Sequence, residues 1–484
     1  MKIIELINDW LWTYLMVGLL LATALYFTIR TRGVQFSMIP EMIRLLLESG
    51  KSHDDKRIHE KPSHTISSFQ AFTLSLASRV GTGNIAGVAI AIALGGPGAV
   101  FWMWVVAFIG SANAFIESTL AQLFKVKGHN SFRGGPAYYI QKGIGKRWWS
   151  WTFAILITLT FGLAFNTVQA NTITVAFENA FGIPALWVGV ITTVLTLAVI
   201  CGGVQRISKV NQVIVPIMAV LYILLALYVI AVNITSFPAV IKMIVTNAFG
   251  FEQAMGGTFG MAMILGVKRG LFSNEAGEGS TPNAAATAAV SHPVKQGLIQ
   301  TLGVYTDTLL VCTSTAFIIL CSGVFDCGLT GIELTQYALE TQVGKAATWF
   351  VAIAVYLFAT TSIIANYYYG ETNLNFIHRS NRIIYPFRVI VGAMVMVGTL
   401  STLEFVWAIS DITMGLMTLC NIAALLVLGK YALRLLADYR RQLKDGKDPV
   451  YYSSTIPEIA GETECWQYEE TKQPLRHVQN RTRL

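Results

Sequence analysis

Apolar residues run along this chain in long blocks, without the stripe of a surface helix or the alternation of a half-buried strand. The blocks lie at about 11–29, 69–94, 98–124, 149–177, 184–203, 211–233, 253–270, 297–323, 346–369, 385–402 and 405–430. Most reach the ~20 residues that a helix needs to cross a bilayer. The pattern predicts an all-α polytopic membrane protein with about 11 transmembrane helices. No cleavage pattern of the A-x-A type follows the first block, which is therefore read as a retained span.

Two blocks carry breaks. The second contains Ser78-Arg79-Val80-Gly81-Thr82-Gly83-Asn84, and the seventh contains Ala254-Met255-Gly256-Gly257-Thr258-Phe259-Gly260-Met261. Glycines let a helix unwind, and unwound backbone is tolerated in a bilayer only against protein or a watery cavity. The freed N–H groups and the dipole of the following half-helix suit an anion, and carbonyls of the preceding half suit a cation. GTGN alone fits a close-packing motif equally well. Position separates the two readings. With the first span set aside, ten remain, in halves at about 66–233 and 250–430, and a broken helix opens each half. Five is odd, so the halves are inverted. One extra N-terminal helix plus two inverted five-helix repeats, with broken helices at matching places, points to a secondary transporter.

Charge adds orientation. Lys and Arg cluster after the first span (Arg30 to Lys61), after the third (Lys125 to Arg147), after the fifth (Arg206, Lys209), before the eighth (Lys295), after the ninth (Arg379, Arg382) and beyond the last (Lys430 onward). The connections between them are nearly free of both. This alternation places the N-terminus outside and the C-terminus in the cytosol. The net charge of +8 is thereby explained as topology and carries no sign of nucleic-acid binding. Residues 1–440 form the expected transporter domain, and 441–484 a flexible cytosolic tail. The stretch 36–47 is amphipathic, and 237–249 and 331–339 are candidate lids on the outer side.

Composition excludes the other large classes. The chain is 54% hydrophobic and 13% charged, against roughly 25% charged for a soluble domain. Six cysteines lack a CxxC, and seven scattered histidines lack metal-ligand spacing. There is no nucleophile motif and no P-loop, so the chain is not expected to be an enzyme or a primary pump. No protein partner is implied beyond the lipid bilayer.

Several stretches resemble the alanine/glycine:cation symporter family of bacteria and archaea. GGPGAVFWMWVVAFIG at 95–110 looks like its signature, and GTGNIAGVA at 81–89, FRGGPAYY at 132–139 and GLFSNEAGEGSTPNAAA at 270–286 also match. The resemblance covers about 9–440, hence every span. It implies sodium-coupled amino-acid transport on the leucine-transporter fold. It further implies that the amides at Thr82 and Gly83 take the substrate carboxylate and that Gln169 contacts substrate. Asn84 resembles a sodium ligand, together with the Arg79 carbonyl. The hydroxyls of Thr361 and Ser362 resemble a second cation site completed by the Val80 carbonyl, although such hydroxyls in membrane helices often only bond back to their own turn. Hydroxyl and carbonyl oxygens suit a monovalent ion better than Mg²⁺ or Ca²⁺.

Charges within the spans need a partner or a cavity. Asp307 is a candidate cation ligand that equally fits a pairing with Arg79, and Arg79 itself is a candidate built-in substitute for sodium. Glu117 reads as structural, Asp411 with Trp407 as an outer gate, and Glu275 and Glu278 as groups at an inner gate or caps of a helix. Asn366 lies one turn past Ser362, where the resemblance implies a bulky aromatic in some family members, so a pocket for glutamine or asparagine beside alanine and glycine is expected. Phe165, Phe259 and Tyr305 are candidates for its apolar side. The resulting expectation is a Na⁺-coupled symporter of a small neutral amino acid working by alternating access. A proton-coupled transporter or exchanger of the same fold is the first alternative, and a channel or nutrient sensor the second.

Overall fold

A computed structural model of the chain describes residues 2–48, 66–128, 131–250 and 257–466, without the side chains of 257–259 and 381. Among the described residues, eight helices are long and apolar enough to cross a membrane, or nine when one bent pair is counted as a single span.

The chain begins with α1 (Lys2–Arg30), followed by α2 (Ile39–Glu48) on the amphipathic stretch. There Arg44 pairs with Glu41 and Glu48 along one face, and Tyr439 of the last helix donates to Glu41. The broken span is α3 (Ser68–Arg79) and α4 (Ala86–Gly95). A reciprocal capping box starts α3, with Ser67 Oγ accepting from Gln70 N and Gln70 Oε1 accepting from Ser67 N. The two halves of this span are bent by 49°. Gly96 closes α4 at a φ of +73° and Pro97 ends its reach. Then come α5 (Gly98–Leu123), a two-residue hairpin of β1 (Val126–Lys127) and β2 (Phe132–Arg133), and α6 (Pro136–Gly143). The half closes with α7 (Arg147–Phe181), α8 (Ala185–Ile200) and α9 (Gly203–Val232).

The second half opens with α10 (Phe237–Ala248) and α11 (Gly257–Asn274). Here the expected break is described only in part. Of the glycine-rich stretch, 254–256 lie outside the described residues, and from Gly257 the helix continues to Asn274. Glycines on this helix serve packing: a Cβ at Gly266 would strike the Ala99 carbonyl of α5, and one at Gly270 would lie 3.3 Å from Met103 Cα. Irregular backbone follows, where Glu275, Gly277 and Gly279 take φ of +56°, +93° and +86°. The short α12 (Pro282–Ala285) restarts the helix with proline at its N-terminus.

Next are α13 (Pro293–Ser322), α14 (Gly331–Val343), α15 (Ala346–Ile377), α16 (Asn381–Leu400) and α17 (Leu403–Lys444). Within α13 the turn Thr306–Cys312 is widened into a π-helix, a feature frequent at functional sites. The tail departs from expectation. Beyond Lys444, residues up to 466 are folded onto the bundle. Tyr451 N donates to Ser291 O, Ser291 Oγ to Pro449 O, and the Trp466 indole to Gln122 O and Leu123 O. Apolar side chains of Tyr451, Ile456 and Ile459 are buried there, which holds the segment despite its polar composition.

Candidate functional site

The site is built on the break between α3 and α4. Helix α3 ends at Arg79, and Gly81 adopts an extended φ/ψ of −140°/−144° that leads into a single tight turn, Thr82–Asn84. Only glycine fits at Gly81 and Gly83, because neighbouring helices press directly on the backbone. A Cβ at Gly81 would fall on Ser362 Oγ of α15 and 2.9 Å from Gln169 Oε1 of α7. A Cβ at Gly83 would lie 2.9 Å from the Phe272 ring of α11. The break is therefore the meeting point of α7, α11 and α15.

The sequence-predicted residues converge here. Thr82 N donates to Gln169 Oε1 at 3.0 Å, so one of the two amides assigned to an anion faces an acceptor on the glutamine assigned to substrate. Thr82 Oγ1 is buried with no partner among the described residues. Asn84 is held from both ends: its Oδ1 accepts from Gly81 N at 3.0 Å, and its Nδ2 donates to Asp307 Oδ1 at 2.6 Å. The second carboxylate oxygen, Asp307 Oδ2, accepts from Ser273 Oγ at 2.8 Å and Thr308 Oγ1 at 3.0 Å. Asp307 and Cys312 both reach Asn84, although they are five residues apart on α13. The widened turn puts positions i and i+5 on one face, which an ordinary helix would not. Ser273 and Cys312 thus join the site without having been foreseen. Ser273 stands inside the SNEAG stretch, a usable signal, whereas a cysteine in an apolar run offers none.

A second set of oxygens gathers around Ser362. Its hydroxyl lies 2.8 Å from Ala77 O, 3.0 Å from Phe358 O and 3.4 Å from Val80 O. One hydroxyl donates one proton, so oxygen lone pairs are in excess here. Thr361 behaves differently, since its Oγ1 bonds back to Phe358 O at 2.8 Å within its own helix. Asn366, one turn on, has its Oδ1 2.9 Å from Ser78 Oγ and donates from Nδ2 to Asn166 at 3.3 Å. The two oxygen sets fit a small cation of low charge: one carboxylate with neutral oxygens at Asp307, and neutral oxygens alone at Ser362. The described residues hold no group of three or more His, Cys, Asp or Glu suited to a metal ion.

Two expectations about charge are revised. Arg79 does not pair with Asp307. Its Nη1 donates to the Gln300 carbonyl at 3.2 Å and lies where a Cβ on Gly303 would stand. Gly303 therefore makes room for the guanidinium in α13, out of reach of an ion pair with the carboxylate. Glu275 and Glu278 stand on the second break, and both are buried. Glu275 accepts from Ser78, Ser280 and Thr281, which ties the second break to the first. Glu117 accepts from Gly277 N, Gly279 N and Asn421, a role in holding the break that agrees with its structural reading.

Aromatic rings roof one side. Phe165 and Phe272 stack at 4.4 Å between centroids, and Phe272 and Trp407 at 4.5 Å. Tyr305 stands apart from this roof, with its hydroxyl on Gln35 O, and the Phe259 side chain lies outside the described residues. Over Trp407 sits Arg269, 4.3 Å from the ring. Asp411 binds Arg269 at 2.6 Å and Lys268 at 2.7 Å. The expected partnership of Asp411 with Trp407 thus includes two buried cations that sequence reading passed over inside an apolar run.

Residues 1–453 match the family described as the sodium:alanine symporter family. Among similar proteins is the probable sodium/glutamine symporter GlnT of Bacillus subtilis, 52% identical over 97% of this chain and 97% of that protein. The amino-acid carrier protein AlsT of the same organism is 51% identical over 97% and 98%. The sodium/proton-dependent alanine carrier protein of Bacillus sp. PS3 is 41% identical over 80% and 91%. Among solved structures, MhsT in complex with L-phenylalanine aligns with a TM-score of 0.54 at 15% identity, covering 85% of this chain and 94% of that one. A manganese transporter of Eremococcus coleocola aligns with a TM-score of 0.52 at 13% identity, over 84% and 88%. These two share the fold. The chain belongs to the sodium:alanine symporter family and is a multi-pass membrane transporter, not an enzyme.

Proposed function

We propose that this transporter couples Na⁺ influx to uptake of a small neutral amino acid, with alanine, glycine and glutamine as candidate substrates. The observation that carries the reading is the break at Val80–Asn84, where Gln169, the Asn84–Asp307 pair and Ser362 meet on unwound backbone. The substrate carboxylate lies at the amides of Thr82 and Gly83, beside Gln169, with Asn366 toward the side chain. One Na⁺ is held by Asn84, Asp307 and the Arg79 carbonyl. A second is held by Ser362 with the Val80 carbonyl and, in a lesser role, Thr361. Cation binding orders the break, which completes the carboxylate site, so each ligand raises the affinity of the other. Alternating access follows from rocking of two inverted five-helix repeats, 66–233 and 250–430, around the fixed site. In this reading the N-terminus faces outward and the C-terminus the cytosol of a bacterial inner membrane, as the basic connections require.

Glutamine transport draws support from the relative named a sodium/glutamine symporter, and alanine from the relative named an alanine carrier. Proton coupling is the second reading. It is favoured by Arg79, whose Nε and Nη2 are buried without partners among the described residues, a fixed positive charge near the cation sites. The family is one of symporters, which leaves a channel or sensor without support. Uptake of labelled alanine and glutamine into proteoliposomes tests the proposal, under an inward Na⁺ gradient, a proton gradient and neither. Accumulation that requires Na⁺ is the expected result. Accumulation driven by protons alone replaces sodium with the second reading, and no gradient-driven uptake of either amino acid overturns both.

A further inference from the structure

A second polar cleft lies away from the break. It has a volume of about 120 Å³ and is lined by Ser131 and Arg133 of the hairpin, Gly203 and Val204 at the start of α9, and Tyr368, Glu371, Thr372 and Asn375 of α15. That volume is below the roughly 300–1,000 Å³ of drug-sized ligand pockets, so only a ligand of a few heavy atoms fits. The cleft carries unsatisfied chemistry. Glu371 Oε2, Thr372 Oγ1 and Tyr368 Oη are each buried with no hydrogen-bond partner among the described residues. Ion pairs among the described residues include neither Arg133 nor Glu371. A buried polar atom costs free energy unless something meets it.

We propose that this cleft binds the amino acid as a zwitterion, as a way-station between the central site and one face of the membrane. The inference rests on the reading that the cargo is a small neutral amino acid. Arg133 takes the α-carboxylate, for which a guanidinium offers a planar two-donor fork. Glu371 takes the α-ammonium, assisted by the hydroxyls of Tyr368 and Thr372. The pairing of charges selects the ligand: a bare cation is repelled by Arg133 and a bare anion by Glu371, whereas a zwitterion meets both.

Position along α15 supports the assignment. The rise of a helix places Tyr368 about 9 Å and Asn375 about 20 Å beyond Ser362. Two side-chain contacts tie this stretch of α15 to its neighbours. Asn373 Nδ2 donates to Asn283 Oδ1 at 2.9 Å, and Tyr138 Oη to Thr372 O at 3.5 Å. Hairpin, α9 start and α15 end all adjoin connections rich in Lys and Arg, so in the proposed orientation the cleft is on the cytosolic side.

The test compares alanine transport from the two faces, in right-side-out and inside-out vesicles bearing the full-length protein. Arg133→Gln and Glu371→Gln are each expected to raise the KM for alanine about tenfold at one face and to leave the other face unchanged. An equal rise at both faces, or none at either, overturns the proposal. Unchanged uptake at the second face also shows that the variants fold. A second readout is independent of transport: Val204→Cys in a Cys201→Ser background is labelled with an impermeant maleimide, with and without millimolar alanine. Protection by alanine that disappears in both Gln variants supports the cleft, and labelling indifferent to alanine overturns it. Failure of the wild-type protein to transport alanine, with protection intact, faults the transport reading and leaves the cleft standing.

Discussion

The carboxylate of Asp307 is the sharpest place to test the cation site. Asp307→Asn removes one charge while keeping nearly the same shape. The amide oxygen can stay on Asn84 Nδ2, where Oδ1 now accepts at 2.6 Å. The amide nitrogen then faces Ser273 Oγ and Thr308 Oγ1, which donate to Oδ2 at 2.8 and 3.0 Å. Both hydroxyls can rotate to accept, and Ser273 has a second partner in Cys312 Sγ at 3.1 Å. The network survives, so the change in folding stability is held below about 1 kcal/mol. Cation binding loses much more. Two unit charges about 4 Å apart attract by about 4 kcal/mol at an effective dielectric constant of about 20. If only a third of that survives desolvation, about 1.4 kcal/mol, the affinity for the ion falls tenfold. Uptake of labelled alanine at graded Na⁺ concentrations measures it, with thermal unfolding of the purified variant as the control. A tenfold or larger rise in half-saturating Na⁺ at unchanged unfolding temperature is expected. The same half-saturating Na⁺ in variant and wild type, with uptake intact, would falsify the assignment of Asp307 to the cation.

Other substitutions probe the remaining parts of the site. Gly81→Ala drives a methyl onto Ser362 Oγ and toward Gln169 Oε1; we expect a cost of about 1–3 kcal/mol and loss of alanine uptake, and wild-type uptake would show that the backbone can move aside. Ser362→Ala should raise half-saturating Na⁺ several-fold while Thr361→Ala leaves it nearly unchanged, since only Ser362 meets carbonyls of another helix. Equal effects in the same titration would remove that distinction. Asn366→Trp should abolish glutamine uptake and spare glycine; unchanged glutamine uptake would mean that this position does not line the side-chain pocket. Asp411→Asn removes the carboxylate that both buried cations, Lys268 and Arg269, bind, at a cost on the order of 3 kcal/mol. A thermal shift assay should show a marked fall, and an unchanged transition would count against a structural role for the pair.

Much of this was legible along the chain because a bilayer is an uncompromising solvent. It demands long apolar helices and tolerates irregular backbone only around a cavity, so the block pattern predicted the helical membrane architecture. Gly81 and Gly83 in an apolar run located the first break and brought Asn84 with it, whereas Gln169 came only from the family resemblance. The second expected break is described only in part. Of the glycines at 256, 257 and 260 that looked like an interruption, Gly256 lies outside the described residues and Gly257 and Gly260 are helical; further along α11, Gly266 and Gly270 admit α5, and irregular backbone is found at Glu275. Local composition does not distinguish a glycine that bends backbone from one that admits a neighbour; the neighbour decides. Asp411 with Lys268 and Arg269, Arg79 with Gln300, and Cys312 with Asn84 join residues far apart in the chain. The folding of residues 445–466 onto the bundle likewise depends on apolar side chains finding a surface that the chain order does not reveal. Sequence alone determined the solvent, the all-helical class and the first break, because each rests on local chemistry. Tertiary structure decided which charges meet, which glycines bend and where the cleft beside Arg133 and Glu371 opens, because each of those depends on what another helix brings.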